Sequence, residues 1–72
     1  MRSYILIKTA GGKAKGILEE IREIEGVDEA HALYGPYDII VKTSMDDVAA
    51  FVIDRLRMLE GVSDTTTLIV AM

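Results

Sequence analysis

The chain is one unit written twice. Ile17-Leu18-Glu19-Glu20-Ile21-Arg22, with Glu25-Gly26-Val27 behind it, returns 35 residues later as Val52-Ile53-Asp54-Arg55-Leu56-Arg57, followed by Glu60-Gly61-Val62. Upstream, Ile5-Leu6-Ile7-Lys8-Thr9 returns 34 residues later as Ile39-Ile40-Val41-Lys42-Thr43. The change of offset means that one residue is gained in the second copy, which we assign to the segment between strand and helix. Any fold for this chain has to pack two copies of the unit against one another.

Each copy reads strand, helix, strand. Ser3 to Thr9 is rich in β-branched and aromatic residues and ends at Gly11-Gly12, which marks a strand and its stop. From Lys13 to Glu25, Ala14, Ile17, Leu18, Ile21 and Ile24 recur at helical spacing, and Gly26 fits the residue just past a helix end. Val27 to Tyr34 is the second strand, Gly35-Pro36 a turn, and Tyr37 to Thr43 the third strand. Ser44 with Asp47 resembles a capping box, with Asp in place of Glu. The second helix runs from about Asp46 to Glu60, with Val48, Phe51, Val52, Leu56 and Leu59 on one stripe. Gly61 ends it, and Thr65 to Ala71 is the fourth strand. Two β-α-β halves joined by a hairpin predict an α+β, ferredoxin-like βαββαβ sandwich, with both helices on one face of an antiparallel sheet. All 72 residues are read as a single domain.

The opposite sheet face is the informative one. Ile5 and Ile7 share one face of the first strand, and Tyr4, Leu6 and Lys8 the other. On the third strand Ile39 and Val41 oppose Asp38, Ile40 and Lys42. An open face normally alternates to polar residues, yet Leu6 and Ile40, joined by Tyr4, stand on this one. A second copy covering that face accounts for them. A domain this small also has little stability to spare, which favours association.

Charge and composition exclude several classes. The net charge is −4 and the eight Lys and Arg are scattered singly, whereas nucleic-acid surfaces cluster positive charge against phosphate. The chain holds no cysteine, so disulfide frameworks, thiolate metal sites and cysteine nucleophiles are out. No apolar run reaches the roughly 18 residues of a membrane span, and no signal peptide is recognisable. The expected compartment is the cytoplasm, and Met1 reads as an initiator.

Catalytic chemistry finds no foothold. The single His31 has Glu29 two positions before it on the same strand face, which falls short of the ligands zinc requires. Glu19-Glu20 and Asp46-Asp47 lie on solvated helix faces, without the burial that tunes an acid and a base. Ser3, Ser44 and Ser63 lack a base at readable spacing. Gly11-Gly12 with Gly16 has neither dinucleotide nor P-loop spacing. The lack of Cys excludes copper-chaperone use of this fold, and the lack of Asn excludes acylphosphatase chemistry. Few aromatics stand ready to stack RNA bases. We expect no catalytic residue, metal or cofactor. What remains is Gly35-Pro36-Tyr37-Asp38. A turn with glycine exposes backbone N–H groups that suit a carboxylate. Asp38 suits an ammonium and Tyr37 forms a wall, while Thr65 and Thr67, on one face of the last strand, add hydroxyls. Together they suit a free amino acid.

Gly35-Pro36-Tyr37-Asp38 followed by Ile39-Ile40-Val41-Lys42 resembles the Gly-x-Tyr-Asp segment of the Lrp/AsnC regulators. Gly61-Val62, Thr65-Thr66-Thr67 and Leu68-Ile69-Val70 resemble that family's closing Gly-Val-x-x-Thr-x-Thr strand, and Tyr4 to Lys8 its opening one. The likeness is to the effector-binding domain for regulation of amino-acid metabolism and covers essentially the whole chain. It implies the same βαββαβ fold, dimers formed through the sheets, and higher assemblies such as octamers. It also implies amino-acid effectors held between dimers near the turn. Carried over, Gly35, Tyr37, Asp38, Thr65 and Thr67 line that site, with His31 within reach. The family's DNA-binding helix-turn-helix has no counterpart here. The expected role is therefore a stand-alone module that senses amino acids or co-assembles with full-length regulators. Alternatives are an adaptor oligomer without ligand, an enzyme of the dimeric α+β barrel type using His31, and an ACT domain.

Overall fold

A computed structural model describes residues 2–72. The elements run β1 (Ser3–Thr9), α1 (Ala14–Arg22), β2 (Val27–Ala32), β3 (Ile39–Thr43), α2 (Val48–Phe51), a π-helical turn (Val52–Leu56) and β4 (Val62–Ile69). The strands form one sheet in the order β2-β3-β1-β4, every neighbour antiparallel. This is the α+β, ferredoxin-like arrangement that the duplicated unit predicts.

Strand alternation places the core as expected. Ile5, Ile7, Ile39 and Val41 are fully buried, and Ile17, Leu18 and Ile21 of α1 and Val48, Phe51, Val52 and Leu56 of the second helix are buried against them. Tyr4, Leu6, Ile40 and Lys42 alternate to the other face and are half-buried. Two polar links fasten the frame. Arg22 donates from Nε and Nη2 to the Ala30 carbonyl at 3.1 and 2.8 Å, joining the end of α1 to β2. The buried Thr43 hydroxyl donates to the Gly26 carbonyl at 2.6 Å and accepts from Met45 N–H at 3.1 Å.

Four local expectations are corrected. The strands of the central hairpin are shorter than read, leaving residues 33–38 as its connection. The last strand instead begins earlier, at Val62, because it pairs with β1 as far as Thr9 through a register shift. The cap of α2 is Asp47, whose carboxylate accepts from Ala50 N–H at 3.1 Å, while Ser44 turns its hydroxyl to Asp28. The capping box is therefore not used. Gly26 is not the residue directly after the cap of α1: Glu23 is the cap, and the chain reverses at Gly26 with φ 102°.

A fifth correction concerns the gained residue. It lies inside the second helix and not before it. The helix caps, Lys13 and Asp47, are still 34 residues apart. The bonds closing the helix ends, Ile24 N–H to Ile21 O and Leu59 N–H to Leu56 O, are 35 apart. Between them Arg57 N–H reaches back five residues to Val52 O at 2.8 Å, the bond of a π turn. The buried positions repeat the message: Leu18 to Ile21 is three steps, Val52 to Leu56 four.

The copies also end alike, at Gly26 and Gly61, both with positive φ. A Cβ on Gly61, at φ +98°, would meet Ile17 Cδ1 at 2.9 Å and Lys13 Cβ at 3.3 Å. Gly61→Ala is expected to cost about 1–3 kcal/mol from backbone strain and crowding of the core. At Gly26 the close atoms are the mobile end of Met45, at 3.1 Å, and Phe51 Cε1 at 3.2 Å. Gly26→Ala should cost less. Urea unfolding of both variants checks the ranking, and equal losses would refute it.

Candidate effector site

The connection between β2 and β3 is shaped by three constraints. Gly35 has φ 132°, a region open mainly to glycine. Leu33 N–H closes the hairpin on Asp38 O at 2.8 Å, and Asp38 N–H reaches across to Ile7 O of β1 at 2.9 Å. The Asp38 carboxylate then accepts from Thr9 N–H at 2.7 Å and from the Thr9 hydroxyl at 3.2 Å. The turn is thereby docked on the end of β1, where the β1–β4 register shifts between Lys8 and Thr9.

Tyr37 leans the other way, over the open sheet. Its hydroxyl lies 3.3 Å from the Thr66 hydroxyl, and the Lys8 ammonium sits 5.4 Å from its ring centroid. The Lys8 contact is a cation–π pair. Thr66 stands opposite Leu6, on the open face, whereas Thr65 and Thr67 stand opposite Ile7 and Ile5, on the helix side. The threonine that meets Tyr37 is thus the one between the two singled out from the sequence. Gly35 itself is exposed, with open space around it.

His31 belongs to a different group. It stands opposite Ile40 on the open face, where its Nε2 lies 3.3 Å from Glu29 Oε1. Lys42 donates to the other Glu29 oxygen at 3.3 Å. These three, with Tyr4 and Ile40, line a hollow of about 140 Å³. The His31 hydrogen bond, and then Lys42 through its own hydrogen bond and charge, hold the Glu29 carboxyl below its ordinary value. Glu29 is exposed, so this pairing is a surface effect that fades as pH falls through the carboxylate range.

The site therefore divides into two parts. Gly35, Tyr37 and Asp38 are gathered at one end of the sheet with Thr9, Lys8 and Thr66. His31 gathers Glu29, Lys42 and Tyr4 on the sheet face. Strand parity places Lys8 on the open face, since it alternates with the core positions Ile5 and Ile7, and the pairing of β4 with β1 places Thr66 there too. Nothing local marks Thr9, which is paired with Asp38 across 29 residues.

The chain matches the family model of the Lrp/AsnC ligand-binding domain over residues 2–71. It belongs to the Lrp/AsnC family. An HTH-type transcriptional regulator of Pyrococcus abyssi is 33% identical to this Lrp/AsnC domain over 73 aligned positions. That match takes in 93% of the chain and 49% of the regulator, so the chain spans about half the length of the curated relatives it matches. The crystal structure of FFRP-DM1 superposes with a TM-score of 0.89 at 33% identity, covering 96% of both chains. A transcriptional regulator of Neisseria meningitidis, solved as a complex with L-Met, shares the fold. Its TM-score is 0.83 at 22% identity, covering 99% of this domain and 49% of that chain. Among the described residues no group of three or more His, Asp or Glu is disposed to hold a metal, and no helix is long and apolar enough to cross a membrane.

Proposed function

We propose that this Lrp/AsnC domain is a non-catalytic sensor that binds a free amino acid at the Gly35–Asp38 turn, in an oligomer built through the open sheet faces. The family match carries the reading: the matched family model is a ligand-binding domain, and its relatives are transcriptional regulators. The L-Met complex of the Neisseria regulator, which shares the fold, supports an amino acid as the ligand class.

In this reading Gly35 leaves backbone N–H groups open to the effector carboxylate, Asp38 meets its ammonium, and Tyr37 walls the side chain. Thr65 and Thr67 offer hydroxyls from the helix side of β4, and Thr66 offers one beside Tyr37 on the open face. Thr65 stands opposite Ile7, whose carbonyl accepts from Asp38 N–H, so the strand and the turn are tied through one residue. Tyr4, Leu6, Ile40 and Leu68 form the apolar ground of the dimer face, and Leu68 is 49% exposed in the single chain. Dimers assemble further, as far as octamers, and bring turns from neighbouring dimers together. Co-assembly with full-length Lrp/AsnC regulators in the cytoplasm then passes the amino-acid signal to a DNA-binding partner.

A thermal-shift screen against the twenty amino acids at millimolar concentration tests the proposal. A ligand at 100 times its Kd stabilises by about 2.7 kcal/mol, which in a domain this small raises Tm by several degrees. A selective shift is expected. A flat response across the panel turns the reading toward an oligomeric adaptor.

A further inference from the structure

Toward its β2 edge the open sheet face carries a knot of charge beside Tyr4 and Ile40, apart from Lys8 and Asp64 at the end of β1 and β4. Glu29 is held at 3.3 Å by His31 through one oxygen and at 3.3 Å by Lys42 through the other. Both bonds line the hollow shared with Tyr4 and Ile40. The groups facing His31 are Glu29 on its own strand, Ile40 and Lys42 on β3, and Tyr4 on β1. On the helix side of β2, Arg22 is engaged with the Ala30 carbonyl. His31 is the only histidine in the chain. It is therefore the only side chain whose ordinary pKa falls between 5 and 8.

We infer that protonation of His31 loosens the sheet-to-sheet association of two copies of this chain, so that assembly is tight at neutral pH and weak in mild acid. The inference rests on the dimer proposed above. With His31 neutral, the knot holds one carboxylate and one ammonium, and its charges cancel. A second copy laid over the face removes water from a group that is already paired. Protonation adds a second cation to a carboxylate that Lys42 already shares. Each copy then brings one uncompensated charge under the cover, which is costly away from water. In the free chain the His31 side chain is 59% exposed and the charge stays solvated. Protons therefore bind the separated copies better, and linkage requires acid to drive separation.

The test is sedimentation velocity on the full chain at pH 7.5 and 5.5, with His31→Gln in parallel. Glutamine keeps a donor for Glu29 and does not titrate. Between these values an ordinary imidazole passes from mostly neutral to mostly protonated, so each histidine that the dimer keeps neutral raises Kd about tenfold over the interval, and two per dimer about a hundredfold. The wild type is expected to show that rise and His31→Gln to show the same Kd at both values. A wild-type dimer indifferent to pH, or a His31→Gln dimer equally sensitive, overturns the inference and leaves the dimer standing. A chain that stays monomeric at both values to roughly 100 µM, far above the millionth-molar range of specific pairs, overturns the dimer reading as well. Far-UV circular dichroism accompanies each run, and unfolding of the wild type at pH 5.5 overturns the inference too.

Discussion

A chain carrying Asp38→Asn is expected to fold like the parent and to lose its thermal response to amino acids. The structure separates two duties of this residue that a simple truncation would confuse. The carboxylate accepts from Thr9 N–H and hydroxyl at 2.7 and 3.2 Å, and so docks the turn on β1. Asparagine still offers a carbonyl oxygen to the Thr9 amide, which limits the loss to under about 1 kcal/mol. It removes the negative charge that meets an effector ammonium. Alanine removes both. Asp38→Ala leaves the Thr9 amide without its acceptor at a cost of about 1–3 kcal/mol, and each kcal/mol lowers Tm by about 4–8 °C in a domain of this size. The informative comparison is therefore between the two variants without ligand and with the effector that stabilises the parent. Asp38→Asn should melt near the parent alone and fail to gain with ligand. If Asp38→Asn gains as much as the parent, the ammonium is held elsewhere and the turn is only a turn.

The sequence carried the frame because two periodicities agreed. Ile5 with Ile7 and Ile39 with Val41 alternate at the period of a strand, and all four are fully buried. Ile17, Leu18 and Ile21 recur at the period of a helix and face them. The duplication then required the second half to do likewise. The turn was legible for the same local reason: Gly35 in a hairpin has to supply a backbone shape that other residues avoid. The pairing of Asp38 with Thr9 was not legible. It joins residues 29 apart in sequence, and its geometry depends on the register shift at the end of β1. The choice among three consecutive threonines was open to parity. Thr66 alternates with Leu68 onto the face of Leu6, and only a strand register assigns that face to Tyr37. Ser44 and Asp47 both suit a helix cap in isolation. The contact of Ser44 with Asp28 on β2 decides between them, and such a contact is tertiary.

The gained residue was misplaced for a subtler reason, and a pair of deletions tests the corrected position. Aligning Ile17-Leu18 with Val52-Ile53 maximises local likeness, yet Leu18 is buried and Ile53 is 58% exposed. The burial pattern instead aligns Ala14, Ile17 and Leu18 with Val48, Phe51 and Val52, and then Ile21 with Leu56. One residue too many lies between Val52 and Leu56, and the helix holds it by widening to a π turn. Deleting Ile53 should let that turn close as an ordinary α-helical one. Val52 and Leu56 keep their places in the core, and the exposed side chain takes little with it. The expected change in stability is within about 0.5 kcal/mol, the range of surface changes away from special features. Deleting Glu20 from α1 also removes an exposed residue, with the opposite result. Here no surplus exists, so everything beyond the deletion rotates by about 100°. Ile21, fully buried, leaves the core. Losing a side chain of that size costs about 2–5 kcal/mol, most of what a domain this small possesses. Circular dichroism and urea unfolding should find the chain without Ile53 folded and the chain without Glu20 largely unfolded. Equal damage from the two would mean that the π turn is fixed by its surroundings and is not the imprint of an inserted residue.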